Sequence, residues 1–361
     1  MKKFVSLILI VSLLAVLGLS TYSCKPEEEK PTWTPKEEYK LSVNVGPTFW
    51  WGMGAQKFAD LVKEKTDGKI NIKVYYGGQL FAGKQTNEFQ LIASGAIDFS
   101  WGSTINWSPV IKEMNVFSLP FFINTFENLD KMEYGETGKI IFKKMEEKGV
   151  VGLAWAENGF RELTNSKREI KRPEDLKGLK IRVVGSPIFL DIFRQLGADP
   201  TNMNWADAVT AFQQGTVDGQ ENPVGVLIPV KIWQYHKYAT FWNYLVDPVI
   251  VGVNKKIWDE FPDDIKKAIK EAAEEAAEYE KALCRAGLDG DKSINILKEK
   301  FGVTPEITDP VKYLEDNGMK VTFLTDEERE AFIEATKPVF DEWVDKIGKE
   351  VVEAAKRDMG K

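Results

Sequence analysis

The chain has 361 residues, a formal net charge of −7 and two cysteines. An acidic chain with interspersed charges and no basic patch excludes nucleic acid as a partner, because phosphate binding needs a basic surface. With one cysteine near the N-terminus and the other at Cys284, no internal disulfide framework is expected, and Cys284 reads as a small buried apolar residue in an Ala-rich helical stretch.

Lys2 and Lys3 precede an apolar run from Val5 to Leu19, and small residues lead into Cys24. This predicts a signal peptide over residues 1–23, with Cys24 where a lipoprotein carries its acylated cysteine. Simple secretion is the alternative, since Thr21-Tyr22-Ser23 lacks the usual apolar residue three before the cysteine. Residues 24–38, rich in Pro, Glu and Lys, read as a tether.

A strand is predicted from Tyr39 to Val45, an amphipathic helix from Gly54 to Lys65, and a second strand from Ile70 to Tyr76. Asn87 to Ser94 reads as a helix ended by Gly95, and Ala96 to Trp101 as a third strand. Leu129 to Lys148 is expected to be helical and Val150 to Ala156 a strand, with a glycine turn at Asn158-Gly159-Phe160-Arg161. A second unit starts near Gly159. It holds a turn at Arg172 to Leu176, a strand from Leu179 to Val184, helices over Pro187 to Leu196 and Trp205 to Gln214, and a short strand from Val217. Asp263 to Lys300 reads as one long helix, and Asp326 to Lys356 as a second one interrupted at Pro338. The alternation of strand and helix predicts an α/β protein with a parallel sheet.

Arg182 lies within an apolar strand, between Ile181 and Val183-Val184. A buried arginine there holds either a carboxylate ligand, through two parallel hydrogen bonds, or a protein acid in a structural ion pair. Further on, Gly219 permits a tight turn, and Pro223 forces Asn222 into an extended conformation that presents a donor and an acceptor. Arg161, behind its glycine turn, is placed as a ligand contact at a strand end or as a solvated loop residue. Eleven tryptophans are many for this length. Trp50, Trp51, Trp101, Trp107, Trp205 and Trp242 fall at strand ends or helix starts, as cleft walls or as core. No catalytic constellation emerges. His236 reads as a surface or interdomain helix residue, and no Cys/His cluster has metal spacing. Gly52-Met53-Gly54 is too slight for a phosphate loop, and Pro187 does not fit a nucleophile elbow at Ser186. Hence no catalytic residue, no metal and no cofactor is expected.

From about Tyr39 to Phe340 the chain resembles the substrate-binding proteins of TRAP transporters, the DctP family. The resemblance rests on Asn158-Gly159-Phe160-Arg161, the run Glu174 to Val183, Leu196-Gly197-Ala198, and Val217 to Pro223, with Gly78-Gln79-Leu80 and Leu119-Pro120-Phe121 in support. It implies an α/β, two-lobed, periplasmic-binding-protein-like fold with central mixed sheets and a long C-terminal spine helix. Lobe 1 would be residues 39–158 plus 248–287, and lobe 2 residues 159–247 plus 288–361 with the C-terminal helices. The resemblance implies no enzyme activity. Arg182 matches the family's carboxylate clamp, Arg161 an assisting arginine, Asn222 the asparagine that orients the ligand, and Trp205 an aromatic packing on it. Ser103 and Asn106 match first-lobe positions that vary with substrate. Trp50, Trp51 and Trp101, with Trp242 and Asn243, complete the expected site. Phe49-Trp50-Trp51 and Trp242-Asn243-Tyr244 depart from the family pattern. They suit an aromatic or branched 2-oxo acid better than a small C4-dicarboxylate, whereas the Asn158 to Arg161 pattern resembles the dicarboxylate branch, and a uronate stays open. The partners implied are a small organic acid and the membrane permease subunits, with the membrane touched only through a lipid anchor. Two other classes stay open at this point: a ligand-sensing lipoprotein, and a secreted carbohydrate-active enzyme.

Overall fold

The computed structural model describes residues 33–361. The expected signal peptide, Cys24 and most of the tether lie outside the described residues. The strands are β1 (Tyr39–Val43), β2 (Ile72–Tyr75), β3 (Phe99–Ser103), β4 (Val150–Phe160), β5 (Glu162–Asn165) and β6 (Lys180–Val183). They continue with β7 (Asp199–Asn202), β8 (Gly219–Asn222), β9 (Tyr238–Phe241), β10 (Val246–Asn254) and β11 (Lys320–Phe323). The helices are α1 (Trp50–Lys65), α2 (Glu88–Ser94), α3 (Thr104–Trp107), α4 (Phe126–Tyr134), α5 (Glu136–Glu147), α6 (Pro187–Gln195) and α7 (Trp205–Gln214). After them come α8 (Val224–Leu227), α9 (Lys255–Glu260), α10 (Asp263–Arg285), α11 (Lys292–Phe301), α12 (Pro310–Asp316), α13 (Asp326–Ile347) and α14 (Lys349–Met359).

Two sheets, each at the heart of one lobe, carry these elements. The first has the order β2-β1-β3-β10-β4, the second β11-β9-β5-β8-β6-β7. Both are mixed rather than purely parallel: β1 pairs in parallel with β2 and β3, whereas β10 runs antiparallel to β3 and β4. In the second sheet β6 is parallel to β7 and β8, and β5 is antiparallel to β8 and β9. The chain passes between the sheets directly at two adjacent places, and a third time through α9 to α12, between β10 and β11. Arg161 alone separates β4 from β5, and residues 242–245 separate β9 from β10. The two direct crossings are hydrogen-bonded to each other, Arg161 N donating to Leu245 O at 3.0 Å.

Several glycines act through close approach rather than through turns. β4 does not stop at Ala156 but runs on to Phe160. Gly159, with φ of 108°, lies opposite a register shift at Asp247 and Pro248, and a Cβ there would come 3.1 Å from Cys284 Sγ on α10. A bulge under the spine helix therefore replaces the expected turn. Gly219 is likewise a strand residue paired with Asn165; a Cβ there would lie 2.6 Å from Thr164 O. Gly52 and Gly54 sit inside α1, which begins at Trp50 instead of Gly54. A Cβ on Gly54 would meet Glu280 and Trp101 at 2.7–2.8 Å, so the glycine lets α1 press onto α10.

The long helical stretches break where side chains demand it. Gly135 divides the first into α4 and α5, and Asp358 of α14 caps α5, accepting from Glu136 N (2.9 Å), Thr137 N (2.8 Å) and Thr137 Oγ1 (2.7 Å). The spine ends at Arg285; Gly287 and Gly290, both at positive φ, turn the chain before α11. α13 runs through Pro338 and stops at Gly348. It packs on α6 of the second lobe and on residues 112–118, whereas α14 packs on α4 and α5 of the first.

Glu88 lies fully buried in the first-lobe core. Its carboxyl accepts from Ser42 Oγ at 2.6 Å and Trp107 Nε1 at 3.0 Å, and burial pushes its pKa up to about 7. A raised carboxyl pKa means that the folded state keeps a proton the unfolded chain has lost. Its contribution is therefore fully present below the usual 4.5 and lost as pH rises towards about 7. Glu162, under Trp242 N and Asn243 N, is pushed the same way to about 7. Urea denaturation is expected to show stability declining from pH 4.5 to 7, and Glu88→Gln to flatten that slope by about 2–3 kcal/mol over the interval.

Candidate functional site

A cleft between the lobes collects the carboxyl ends of strands from both sheets, where open α/β sheets bind ligands. Ser103 closes β3, Arg182 stands near the end of β6, and Asn222 ends β8. The lining also includes Trp51 of α1, Asn106 of α3 and Trp205 of α7. The free volume is about 30 Å³, room for one or two water-sized groups. A larger solute fits only when the lobes part or Arg182 moves.

The two arginines have opposite surroundings. Arg161 is saturated by protein acids. Its Nε donates to Glu221 Oε2 at 2.5 Å, Nη2 to Glu221 Oε1 at 2.9 Å and to Asn222 Oδ1 at 3.0 Å, and Nη1 to Asp247 Oδ2 at 3.3 Å. Burial opposes its charge, yet Glu221 and Asp247 hold its pKa above the ordinary value. Both acids are themselves fixed. Tyr244 Oη donates to Glu221 at 2.8 Å, while Ser103 Oγ (2.6 Å) and Asn158 Nδ2 (2.8 Å) donate to Asp247. Glu221 comes from the second sheet and Asp247 from the first, so the Arg161 side chain pins the lobes together at their crossing.

Arg182 is only 1% exposed and makes no ion pair among the described residues. Its Nε and Nη2 donate to the Met203 carbonyl at 3.1 and 2.7 Å, and its guanidinium lies 5.7 Å from the Trp205 ring. Nη1 has no protein partner among the described residues. Burial, and to a lesser extent the neighbouring Arg161 charge, lower its pKa to about 10 even though Glu221 acts to raise it. This is a cation kept in a desolvated place without a counter-ion. A carboxylate is the group that satisfies it best.

The remaining polar side chains hold one another by one end and leave the other free. Gln85 accepts from Trp205 N at 2.9 Å across the cleft and from Asn44 Nδ2 at 3.3 Å, and donates to Asn106 Oδ1 at 2.8 Å. Asn106 Nδ2 and the Oδ1 atoms of Asn44 and Asn158 have no protein partner among the described residues. Such a ring suits hydroxyl and carbonyl oxygens.

Not every residue singled out in the sequence comes here. Trp101 is buried beneath α1, tilted against Phe58, two residues below the cleft-lining Ser103. Trp242 is core, packed by Phe121, Phe193, Tyr244 and Phe332, and its Nε1 donates to Arg161 O at 3.2 Å. Asn243, with φ of 47°, faces a separate depression beside Phe126 and Phe160. Trp50 stacks on α8, where a Cβ on Gly225 would fall 2.1 Å from its ring. His236 is buried, not on a surface helix. Its Nδ1 is 2.9 Å from Thr164 Oγ1, and burial lowers its pKa to about 3 against the opposing pull of Asp218. Gln85, Asn44 and Asp247 went unnoticed. Asp247 had a signal, an acid at the head of the apolar run Val246 to Val253; the polar residues in turns had none. Among the described residues no group of His, Cys, Asp and Glu has the arrangement to hold a metal.

The family model for bacterial extracellular solute-binding proteins, family 7 (DctP), matches residues 41–311. The chain belongs to that family. It is 31% identical over 318 residues to the C4-dicarboxylate-binding periplasmic protein DctP of Rhodobacter capsulatus, covering 88% of this chain and 89% of the relative. A TRAP periplasmic solute-binding protein from Ralstonia eutropha H16, solved with bound (S)-2-acetolactate, superposes with a TM-score of 0.84 at 47% identity, covering 90% of this chain and 99% of that one. The sugar acid binding protein DctPAm of Advenella mimigardefordensis, in complex with galactonate, gives 0.79 at 29% identity, covering 91% and 98%. The family is one of extracytoplasmic binding proteins, not enzymes. No helix among the described residues is long and apolar enough to cross a membrane.

The contrast between the arginines is open to test. Arg161→Met leaves Glu221 and Asp247 buried without a cation and is expected to destabilise the fold by about 3–5 kcal/mol in urea titration. Arg182→Met, which strands only a carbonyl, is expected to cost about 1–3 kcal/mol or less.

Proposed function

We propose that this chain is the solute receptor of a TRAP transporter, which captures a short monocarboxylate bearing hydroxyl or oxo groups and delivers it to the membrane permease subunits. Export on the N-terminal segment and a lipid on Cys24 would keep it at the membrane surface. The observation that carries the reading is the Arg182 guanidinium, buried at the cleft without an acid. The solute carboxylate takes the place of the Met203 carbonyl on Arg182, with Trp205 against its side. Asn222 acts indirectly, since its Oδ1 accepts from Arg161 and its Nδ2 donates to Gln220 Oε1 at 2.5 Å.

The charge balance favours one carboxylate over two. The cleft holds two guanidinium groups, and Glu221 and Asp247 already occupy one of them. A second carboxylate would meet amides and acids rather than a cation. Acetolactate and galactonate, the ligands of the two similar structures, are monocarboxylates with hydroxyl groups, in keeping with this balance. Closure follows from differential affinity: a solute held at once by β6 of one lobe and by the amides of the other favours the closed state.

Calorimetry against a panel of hydroxy and oxo monocarboxylates and C4-dicarboxylates tests the reading. At least one monocarboxylate is expected to bind. Arg182→Ala should weaken it by about 30-fold to several thousand-fold, from about 2–5 kcal/mol, with the circular dichroism spectrum unchanged. Undiminished affinity in that variant would refute the clamp.

A further inference from the structure

Behind the clamp cleft lies a small recess that shares Val45, Trp51, Asn158 and Val226 with it. Its free volume is about 10 Å³, room for a single oxygen atom. Two buried polar atoms belong to side chains on its wall and have no hydrogen-bond partner: Trp51 Nε1 and Glu280 Oε1. Glu280, wholly buried on the spine helix α10, uses its other oxygen to accept from Glu157 N at 2.8 Å. Nothing in the clamp described above uses either orphan.

We propose that this recess is a second subsite, in which Trp51 Nε1 and Glu280 Oε1 together take an uncharged oxygen of the solute, a ketone or hydroxyl, while Arg182 holds its carboxylate. The inference rests on the reading of Arg182 as the carboxylate clamp and adds the group that the far end of the solute must carry.

Three observations support it. The indole N–H is a donor only. Burial raises the Glu280 carboxyl well above the ordinary range, and a proton on Oε1 would make it a second donor. Two donors on side chains that line room for one atom suit an acceptor oxygen. No cation lines the recess, and the nearby Arg285 is committed to Glu157 (2.9 Å) and Asp130 (2.8 Å), so a carboxylate would be buried there uncompensated. A methylene in the same place would leave both donors unmet. The recess cannot shift easily, because Gly54 already brings α1 against Glu280 without space for a Cβ.

The test uses calorimetry on the full chain with two acids that differ by one oxygen: 2-hydroxy-2-methyl-3-oxobutanoate and 2-hydroxy-2-methylbutanoate. The unaltered protein is expected to bind the ketone at least tenfold more tightly, roughly the worth of one well-made buried hydrogen bond. Trp51→Phe keeps an aromatic ring but removes the N–H together with the five-membered ring that carries it. It is expected to reduce the preference to under threefold, while the affinity for the deoxygenated acid changes by less than threefold. Glu280→Gln, which keeps a donor, is expected to retain most of the preference. A preference that survives Trp51→Phe overturns the subsite, as does its absence from the unaltered protein. An equal loss for both acids also overturns it and assigns the recess to a bridging water. Any of these results leaves the Arg182 clamp standing as long as both acids bind; if neither acid binds the unaltered chain, the clamp for this class of acid fails and the subsite with it.

Discussion

Arg161, the one residue between β4 of the first sheet and β5 of the second, is gripped by an acid from each sheet: Asp247 on β10 and Glu221 on β8. Removing a charge from water costs several kcal/mol, and only this pairing, reinforced by Tyr244, Ser103 and Asn158, offsets it. The triad fixes where the two lobes meet. It also pairs the charge of one cleft-lining arginine with protein acids and leaves Arg182 as the arginine without one. The resemblance gives both arginines to the solute; the pairing of Arg161 adds a structural role to that expectation.

Arg182 is the complement of that joint. A guanidinium at 1% exposure with a carbonyl as its strongest partner carries a desolvation cost that an anion, in the proposed complex, would offset. The same closeness that leaves the cleft so little free space would make each solute contact effective, because water is excluded on closure. Gln85 adds a neutral strut across the gap to the first turn of α7, so the same amide network that faces the solute also touches the opposite lobe. In the proposed complex, recognition and closure would share side chains.

Much of this was readable from residue order. Arg182 was visible because a cation in an apolar strand must be accounted for, and the helices of the second unit follow their capping residues and glycines closely. Glycine was where local reading failed. Gly159 and Gly219 were read as turn residues, and Gly52 was left outside a helix that begins at Gly54, but a missing Cβ serves close packing as well as positive φ, and only the partner element tells the two apart. Trp101 and Trp242 illustrate a related limit: sequence places an aromatic at a strand end without saying which side of the sheet receives it. Asn44 and Gln85 carry no pattern at all, since a polar residue in a turn becomes a site only through what folds against it.

The final helices have a consequence for how the molecule is made. α14 seats its face on α4 and α5, and Asp358 caps α5, while α13 packs on α6 and on residues 112–118. The first sheet also waits for β10, which arrives about ninety residues after β4. Neither lobe is therefore a contiguous stretch that could mature while the rest is still being synthesised. Such long-range closure is slow, and the chain stays open until its end is present. Under the export proposed above, late completion would keep the polypeptide threadable for as long as threading lasts.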